Sequence, residues 1–151
     1  MTLNKLIFTP FFFIFFCSCN NNDIEKNEPT NYIVLIIGQS NTHYGTGFDS
    51  ELDKPVETIK QLGRKENKNM QIIPAIEPLH HHNIEVENRI GFGLTYAKLL
   101  KDYLNTEKNI ILIPCGSGGT GFSNNYWNKG DKLYSDAIYR VKYILENYPD
   151  S

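Results

Sequence analysis

Hydrophobic residues in this chain fall into two kinds of pattern. Ile33 to Ile37 is an unbroken apolar run, mostly β-branched, and Asn109 to Ile113 has the same character. Runs without polar alternation read as strands buried on both faces, as in a parallel sheet covered by helices. Gly38 ends the first run and Pro114 the second; Met70 to Ile73 is a shorter strand candidate stopped by Pro74. Elsewhere the spacing is helical. Leu94, Ala97, Leu100, Tyr103 and Leu104 form one apolar stripe over 91–104. Leu133, Ala137, Ile138, Val141, Ile144, Leu145 and Tyr148 form another over 131–148, with Asp131 favouring the start and Pro149 beyond the end. Residues 42–50 read as loop. Residues 51–69 are polar and irregular, with a short helical turn expected around Val56–Leu62, and Ala75 to Val86 is a loop leading into the first helix.

The order is strand, loop, strand, helix, strand, helix. Alternation of this kind argues for an α/β fold with a doubly wound parallel sheet and right-handed crossovers, and 151 residues suggest one domain. A crossover helix should lead back to another parallel strand, and none follows within the sequence. The sheet is therefore expected to be incomplete at its carboxyl end. If the chain is complete, 109–113 becomes an uncovered apolar edge, which is a liability.

The first 18 residues stand apart from this pattern. Lys5 precedes an apolar stretch from Leu6 to Phe16, which is shorter than the ~20 residues a membrane span needs. Ser18 before Cys19 resembles the end of a bacterial lipoprotein signal, so Cys19 is expected to be the lipidated first residue of an exported protein. Cys17 follows bulky Phe16 and is the poorer candidate. Residues 19–30 are polar and aperiodic and read as a flexible tether, leaving 31–151 as the folded domain. With Cys19 carrying lipid, Cys115 has no partner and no disulfide framework is expected. No spaced Cys/His set resembles a zinc site, and a net charge of −2 gives no footprint for nucleic acid.

The turn Gly38-Gln39-Ser40-Asn41 lies at the carboxyl end of the first strand, where open α/β sheets place their ligand crevices. A serine there is carried by a rigid element at the mouth of a pocket, which suits a nucleophile; it also suits an ordinary Ser/Asn turn. Gly116 to Gly121 satisfies G-x-G-x-x-G, but Phe122 to Asn128 is not helical in pattern and Asp136 falls on a helix, so no dinucleotide cofactor is expected. Cys115 reads as a small buried residue at a strand end.

Taken together, Gly38-Gln39-Ser40-Asn41, Gln61-Leu62-Gly63-Arg64, Ile73 to Leu79, Ile90-Gly91-Phe92-Gly93 and Gly118-Gly119-Thr120-Gly121 with Trp127 resemble one family. It is the sialate O-acetylesterase and acetyl xylan esterase branch of the SGNH hydrolases. The resemblance implies a three-layer, flavodoxin-like parallel sheet with the 32–37 strand in its middle and 71–73 and 109–113 parallel to it. It implies Ser40 as nucleophile and the backbone N–H groups of Ser40 and Gly91 as oxyanion donors. It further implies substrate contacts by Gln39, Asn41, Gly118, Gly119 and Thr120, an acetylated carbohydrate as substrate, and no cofactor or metal.

Family members carry, beyond the second helix, a Gln-Gly-Glu block that supplies a further oxyanion donor and an Asp-x-x-His block that supplies the base. The 151 residues contain neither block. His43 reads as a surface loop residue, and His80 to His82 as residues of the cleft entrance. The expectation is a truncated, weakly active or inactive esterase; the alternative is a lipid-anchored carbohydrate-binding pseudoenzyme.

Overall fold

The computed structural model describes residues 30–83 and 89–148. The signal and Cys19 lie outside these residues. The elements are strand β1 (Asn31–Ile36), a 3-10 turn (Ser40–Thr42), β2 (Ile59–Leu62), β3 (Ile72–Pro74), helix α1 (Gly93–Leu104), β4 (Asn109–Pro114) and helix α2 (Lys132–Asn147), with a further 3-10 turn at Glu66–Lys68. The fold is α/β in three layers, an open four-stranded sheet between two helices.

β4 is the strand that organises the core. Ile110 and Leu112 join Ile36, Ile59, Leu79, Leu94 and Ala97 on the α1 face. Ile111 and Ile113 join Leu62, Trp127, Leu133, Ala137 and Ile144 on the α2 face. Alternate side chains of one strand thus feed two cores, so a strand covered on both faces has no polar position to spare.

The strand order is β1-β4-β2-β3. β1 and β4 run parallel from Asn31 opposite Asn109 to Ile36 opposite Pro114, and β4 and β2 are also parallel. β3 is antiparallel to β2, with Gln61 opposite Ile73, so the sheet is mixed. This corrects three expectations. The 32–37 strand is not in the middle: among the described residues β1 is an edge, and the inner place belongs to β4, which is no edge at all. The 71–73 strand is not parallel, because the short 63–71 connection folds straight back as a hairpin. The region expected to form a helical turn holds β2 instead. Its four residues include Lys60 and Gln61, whose polar character hid a strand; Gln61 is buried and its amide donates to the Pro74 carbonyl at 3.2 Å.

The two helices lie close to their expected bounds and bury Leu94, Ala97, Leu133, Ala137 and Ile144 as expected. Tyr103, Leu104, Ile138 and Leu145 of the expected stripes are exposed, because each helix packs on the sheet along a narrower strip than its apolar residues cover. Asn105 closes α1 in the left-handed region at φ 46°, with its N–H donating to the Asp102 carbonyl. That conformation favours Gly or Asn.

Candidate active site

Ser40 stands at the first position of the 3-10 turn that follows β1. Its carbonyl accepts the N–H groups of His43 and Tyr44, and the Gln39 carbonyl accepts that of Thr42. These bonds fold the turn back on itself and present Ser40 half-buried. Neither its N–H nor its hydroxyl has a hydrogen-bond partner among the described residues. A free hydroxyl beside a free N–H is what nucleophile and first oxyanion donor require.

The Gly-rich loop comes close on one side. A Cβ placed on Gly118 would lie 4.0 Å from the Ser40 Cβ. This approach is fixed by a row of bonds between 81–83 and 116–118. The His82 N–H donates to the Gly116 carbonyl at 2.9 Å and the Gly116 N–H to His81 Nδ1 at 2.9 Å. Asn83 Oδ1 accepts both the Ser117 hydroxyl at 2.7 Å and the Gly118 N–H at 3.0 Å. The Ser117 N–H reaches back to the Gly38 carbonyl at 2.9 Å and ties this row to the Ser40 turn. Thr120 is committed twice, its hydroxyl donating to the Ser117 carbonyl at 2.7 Å and accepting the Trp127 indole N–H at 2.9 Å.

Gly91 lies beside the same turn, so close that a Cβ there would run into the Thr42 carbonyl. Its N–H, however, donates to Glu77 Oε2 at 3.3 Å, a carboxylate oxygen that also accepts the Leu79 N–H at 3.1 Å. Burial pushes the Glu77 carboxyl above its ordinary range, against the pull of those N–H groups. In this arrangement the Gly91 N–H is engaged.

None of the four histidines hydrogen-bonds to Ser40. His43 is not a surface loop residue: it is 4 % exposed, and its ring stacks on His81 at 4.7 Å and 17°. The hydrogen bonds assign the tautomers. The Thr42 hydroxyl donates to the Gln39 carbonyl, so His43 Nδ1–H donates to Thr42 Oγ1 at 2.7 Å. His81 Nδ1 accepts from Gly116, so its proton is on Nε2. Both Nε2 atoms are buried without a well-formed hydrogen bond. Burial lowers both rings below the usual histidine range, His81 to about 3 with help from the charges of His43, Arg64 and His82; for His43 the Asn83 carbonyl pulls the other way. His81 therefore belongs to the core rather than to a cleft entrance. A residue larger than glycine at 116 would collide with Thr42 Oγ1 and press on both rings.

His82 and Asp136 look like a catalytic pair and are not one. Asp136 Oδ2 lies 3.2 Å from His82 Nε2, 2.9 Å from an Arg64 nitrogen and 3.3 Å from Arg140 Nε. Burial would raise its carboxyl, but the hydrogen bonds from His82 and Arg64 and the two guanidinium charges hold it well below the usual range. Arg64 also donates to the Pro114 carbonyl, and Arg140 to the Gly63 carbonyl and Asn69. The cluster fastens α2 to the ends of β2 and β4. Cys115 lies against it, 3.3 Å from Arg64, with burial pushing its thiol up to about 11.

A cleft of about 590 Å³ adjoins the Ser40 turn. Gln39, Asn41, Thr42, Thr120 and Gly121 form its polar side, and Leu35, Ile37, Phe92, Phe122, Trp127 and Ile138 its apolar side. Ser40, Gly91, Gly118 and Gly119 are not in its wall. Among the described residues no three His, Cys, Asp or Glu side chains converge as metal ligands. Among the same residues no helix is long and apolar enough to cross a membrane.

Sequence reasoning does not single out Asn83 or Glu77, and it weighs Asp136 only as the acidic residue a dinucleotide fold would need. Glu77 alone left a signal, as one acidic residue inside the apolar stretch from Ile73 to Leu79. Asn83 and Asp136 act across 35 and 72 residues of sequence, which no local pattern reveals.

Known proteins resemble this chain in sequence and fold. A protein of Escherichia coli (strain K12) described as a probable 9-O-acetyl-N-acetylneuraminic acid deacetylase is 26% identical over 161 residues, covering 80% of this chain and 49% of that protein. The crystal structure of an Arabidopsis thaliana protein superposes with a TM-score of 0.63 at 25% identity, covering 78% of this chain and 53% of the other. The chain thus spans about half the length of the relatives it matches. The model of one family, carbohydrate esterases that are sialic acid-specific acetylesterases, matches residues 30–149, and the chain belongs to that family.

Proposed function

We propose that the chain carries the nucleophile half of a carbohydrate O-acetylesterase. One observation carries this reading: among the described residues Ser40, at the carboxyl end of β1, keeps both its hydroxyl and its N–H free beside a fixed Gly-rich loop. In the reaction, Ser40 Oγ adds to the ester carbonyl and its proton passes to a base. The sugar alcohol then leaves with a proton, and water hydrolyses the acetyl-serine. The Ser40 N–H stabilises the developing oxyanion, a contribution of about 2.7–4 kcal/mol per donor in comparable sites. The Gly91 N–H joins it only by leaving Glu77. Gln39, Asn41 and Thr120, which line the cleft, are the residues nearest to a bound sugar.

The described residues supply no base, since every histidine is turned to another partner. These 151 residues alone are therefore a weak or inactive esterase, and the same observation favours a second reading, a carbohydrate-binding pseudoenzyme. Export with a lipid anchor at Cys19, to the periplasm or outer membrane, belongs to either reading. Replacing Cys19 with Ala then releases the protein from membranes and replacing Cys17 does not; equal retention removes the anchor.

The test of function is acetate release from O-acetylated sialic acid, with and without Ser40→Ala. The chain alone should differ little from its Ser40→Ala variant. Joined to a carboxyl-terminal half bearing Gln-Gly-Glu and Asp-x-x-His blocks, it should hydrolyse in a Ser40-dependent way. Hydrolysis by the joined protein that survives Ser40→Ala would remove the nucleophile assignment. Binding of the sugar without turnover in the joined protein would favour the pseudoenzyme.

A further inference from the structure

One carboxylate oxygen joins two pieces of chain that flank the Ser40 turn. Glu77 Oε2 accepts the Leu79 N–H at 3.1 Å and the Gly91 N–H at 3.3 Å. Leu79 packs with Ile36, the last residue of β1, and the two crowd Gly93 so closely that a Cβ there would collide with both side chains. Gly91 serves the other flank. It backs onto the Thr42 carbonyl without room for a Cβ. Its neighbour Ile90 exchanges two bonds with Gly45, the Gly45 N–H donating at 2.8 Å and the Ile90 N–H at 3.3 Å. Ile36 and Thr42 lie before and after Gly38-Gln39-Ser40-Asn41. Ser40 is tied to the second flank as well, since its carbonyl accepts the N–H groups of His43 and Tyr44.

Glu77 is more than a cap for α1. Neither N–H in its two bonds belongs to that helix, and Gly91 precedes Phe92, which caps the helix without a side-chain bond. Of the three N–H groups that favour its charge, that of Leu94 in α1 counts least. The carboxylate is also buried, at 9 % exposed, where a charge is costly. It holds an N–H roughly twice as strongly as a neutral acceptor does, so the corner is stiff.

We propose that Glu77 is a positioning residue for Ser40: by holding Leu79 and Gly91 it sets the turn from which the Ser40 hydroxyl and N–H act. This rests on Ser40 being the nucleophile. The Gly91 N–H stays on Glu77 and serves the turn, and among the described residues the Ser40 N–H is the oxyanion donor. A displaced turn costs the reaction more than it costs sugar binding, because attack depends on near-contact geometry.

The experiment has two readouts. The first is the amide spectrum of the isotope-labelled full chain, in a mild non-ionic detergent that covers the apolar leader. Glu77→Leu should move the Gly91, Gly45 and Ser40 signals and leave those of α2 in place. Glu77→Gln, which keeps an acceptor, should move them less. The second readout is ester hydrolysis by the joined protein bearing the Gln-Gly-Glu and Asp-x-x-His blocks. There Glu77→Leu should lower kcat by about tenfold or more, with KM changed by less than about threefold. Glu77→Gln should recover most of the rate. Where Glu77→Leu does not fold, Glu77→Asp, which keeps the charge and withdraws the oxygen by one methylene, replaces it in both readouts. A Gly91 signal that moves while that of Ser40 stays overturns the proposal, for Glu77 then only braces α1. So does a Glu77→Gln variant as slow as Glu77→Leu, or a KM that rises as much as kcat falls. If the joined protein hydrolyses independently of Ser40, the nucleophile reading falls instead, and the amide signals alone decide whether Glu77 sets the turn.

Discussion

β1 and β4 are near twins in sequence and opposites in setting. Both are six residues long, both are apolar, and they pair in register over their whole length. In β4 the five residues from Ile110 to Pro114 are buried, while in β1 only Ile36 is and Leu35 is exposed. An unbroken apolar run therefore reports the cover a strand is built to receive. It does not report whether that cover lies among the described residues.

The largest expected effect tests this contrast directly. Leu112→Ala opens a cavity between β4 and α1 and should cost about 2–5 kcal/mol in denaturant unfolding. Leu35→Ala on β1 should cost below about 1 kcal/mol. Equal losses would mean that the β1 edge is covered in solution.

Asp136→Ala comes next. It leaves Arg64 and Arg140 facing each other without their shared carboxylate, and breaking a buried pair typically costs about 3–5 kcal/mol. Asp136 keeps some exposure, so about 2 kcal/mol is expected here. Asp136→Asn, which keeps an acceptor, should lose less. A neutral Asp136→Ala would show that the cluster does not fasten α2.

A smaller, graded effect should appear with pH. His43, His80 and His81 are held below their unfolded value of 6.5 mainly by burial. The unfolded chain thus binds more protons below pH 6.5, and stability should fall from there downward, by at most about 1.4 kcal/mol per pH unit for each histidine. Glu77, whose carboxyl is raised, opposes this, gaining stability as pH falls toward 4.5. Three histidines against one carboxylate leave a net loss between pH 6.5 and 4.5. His81→Gln should flatten the slope even where it lowers overall stability. An unchanged slope would place the proton uptake elsewhere.

Ser40→Ala is the smallest. With no hydrogen bond to lose among the described residues, its melting should match the parent within about 0.5 kcal/mol. A larger loss would mean that Ser40 has a structural partner and is not poised for chemistry.

These contrasts also explain what could be read from the residues alone. The two helices and both long strands were legible because Leu94, Ala97, Leu133 and Ile144 repeat at helical spacing and Ile110 to Ile113 do not alternate. The strand order was not. It depends on which edge β4 joins, and nothing local to β1 distinguishes an inner strand from an edge lacking its neighbour. β2 was hidden because Lys60 and Gln61 interrupt it, though Gln61 is buried through a bond 13 residues away. The tight turn after β1 that carries Ser40 was legible from its Gly, Ser and Asn residues. The burial of His43 and His81 was not, because polar rings become core residues only through the stacking and the Gly116 contact that the fold creates.

The bond from the Trp127 indole to Thr120 has an optical consequence. The chain holds one tryptophan, it is 6 % exposed, and its N–H ends a relay through Thr120 to the Ser117 carbonyl, next to Gly116. Its fluorescence is thus an intrinsic gauge of the Gly-rich loop. Emission should lie toward the blue while the loop is closed. It should shift when Thr120→Val removes the acceptor, and any ligand that displaces the loop beside Ser40 should register without a label.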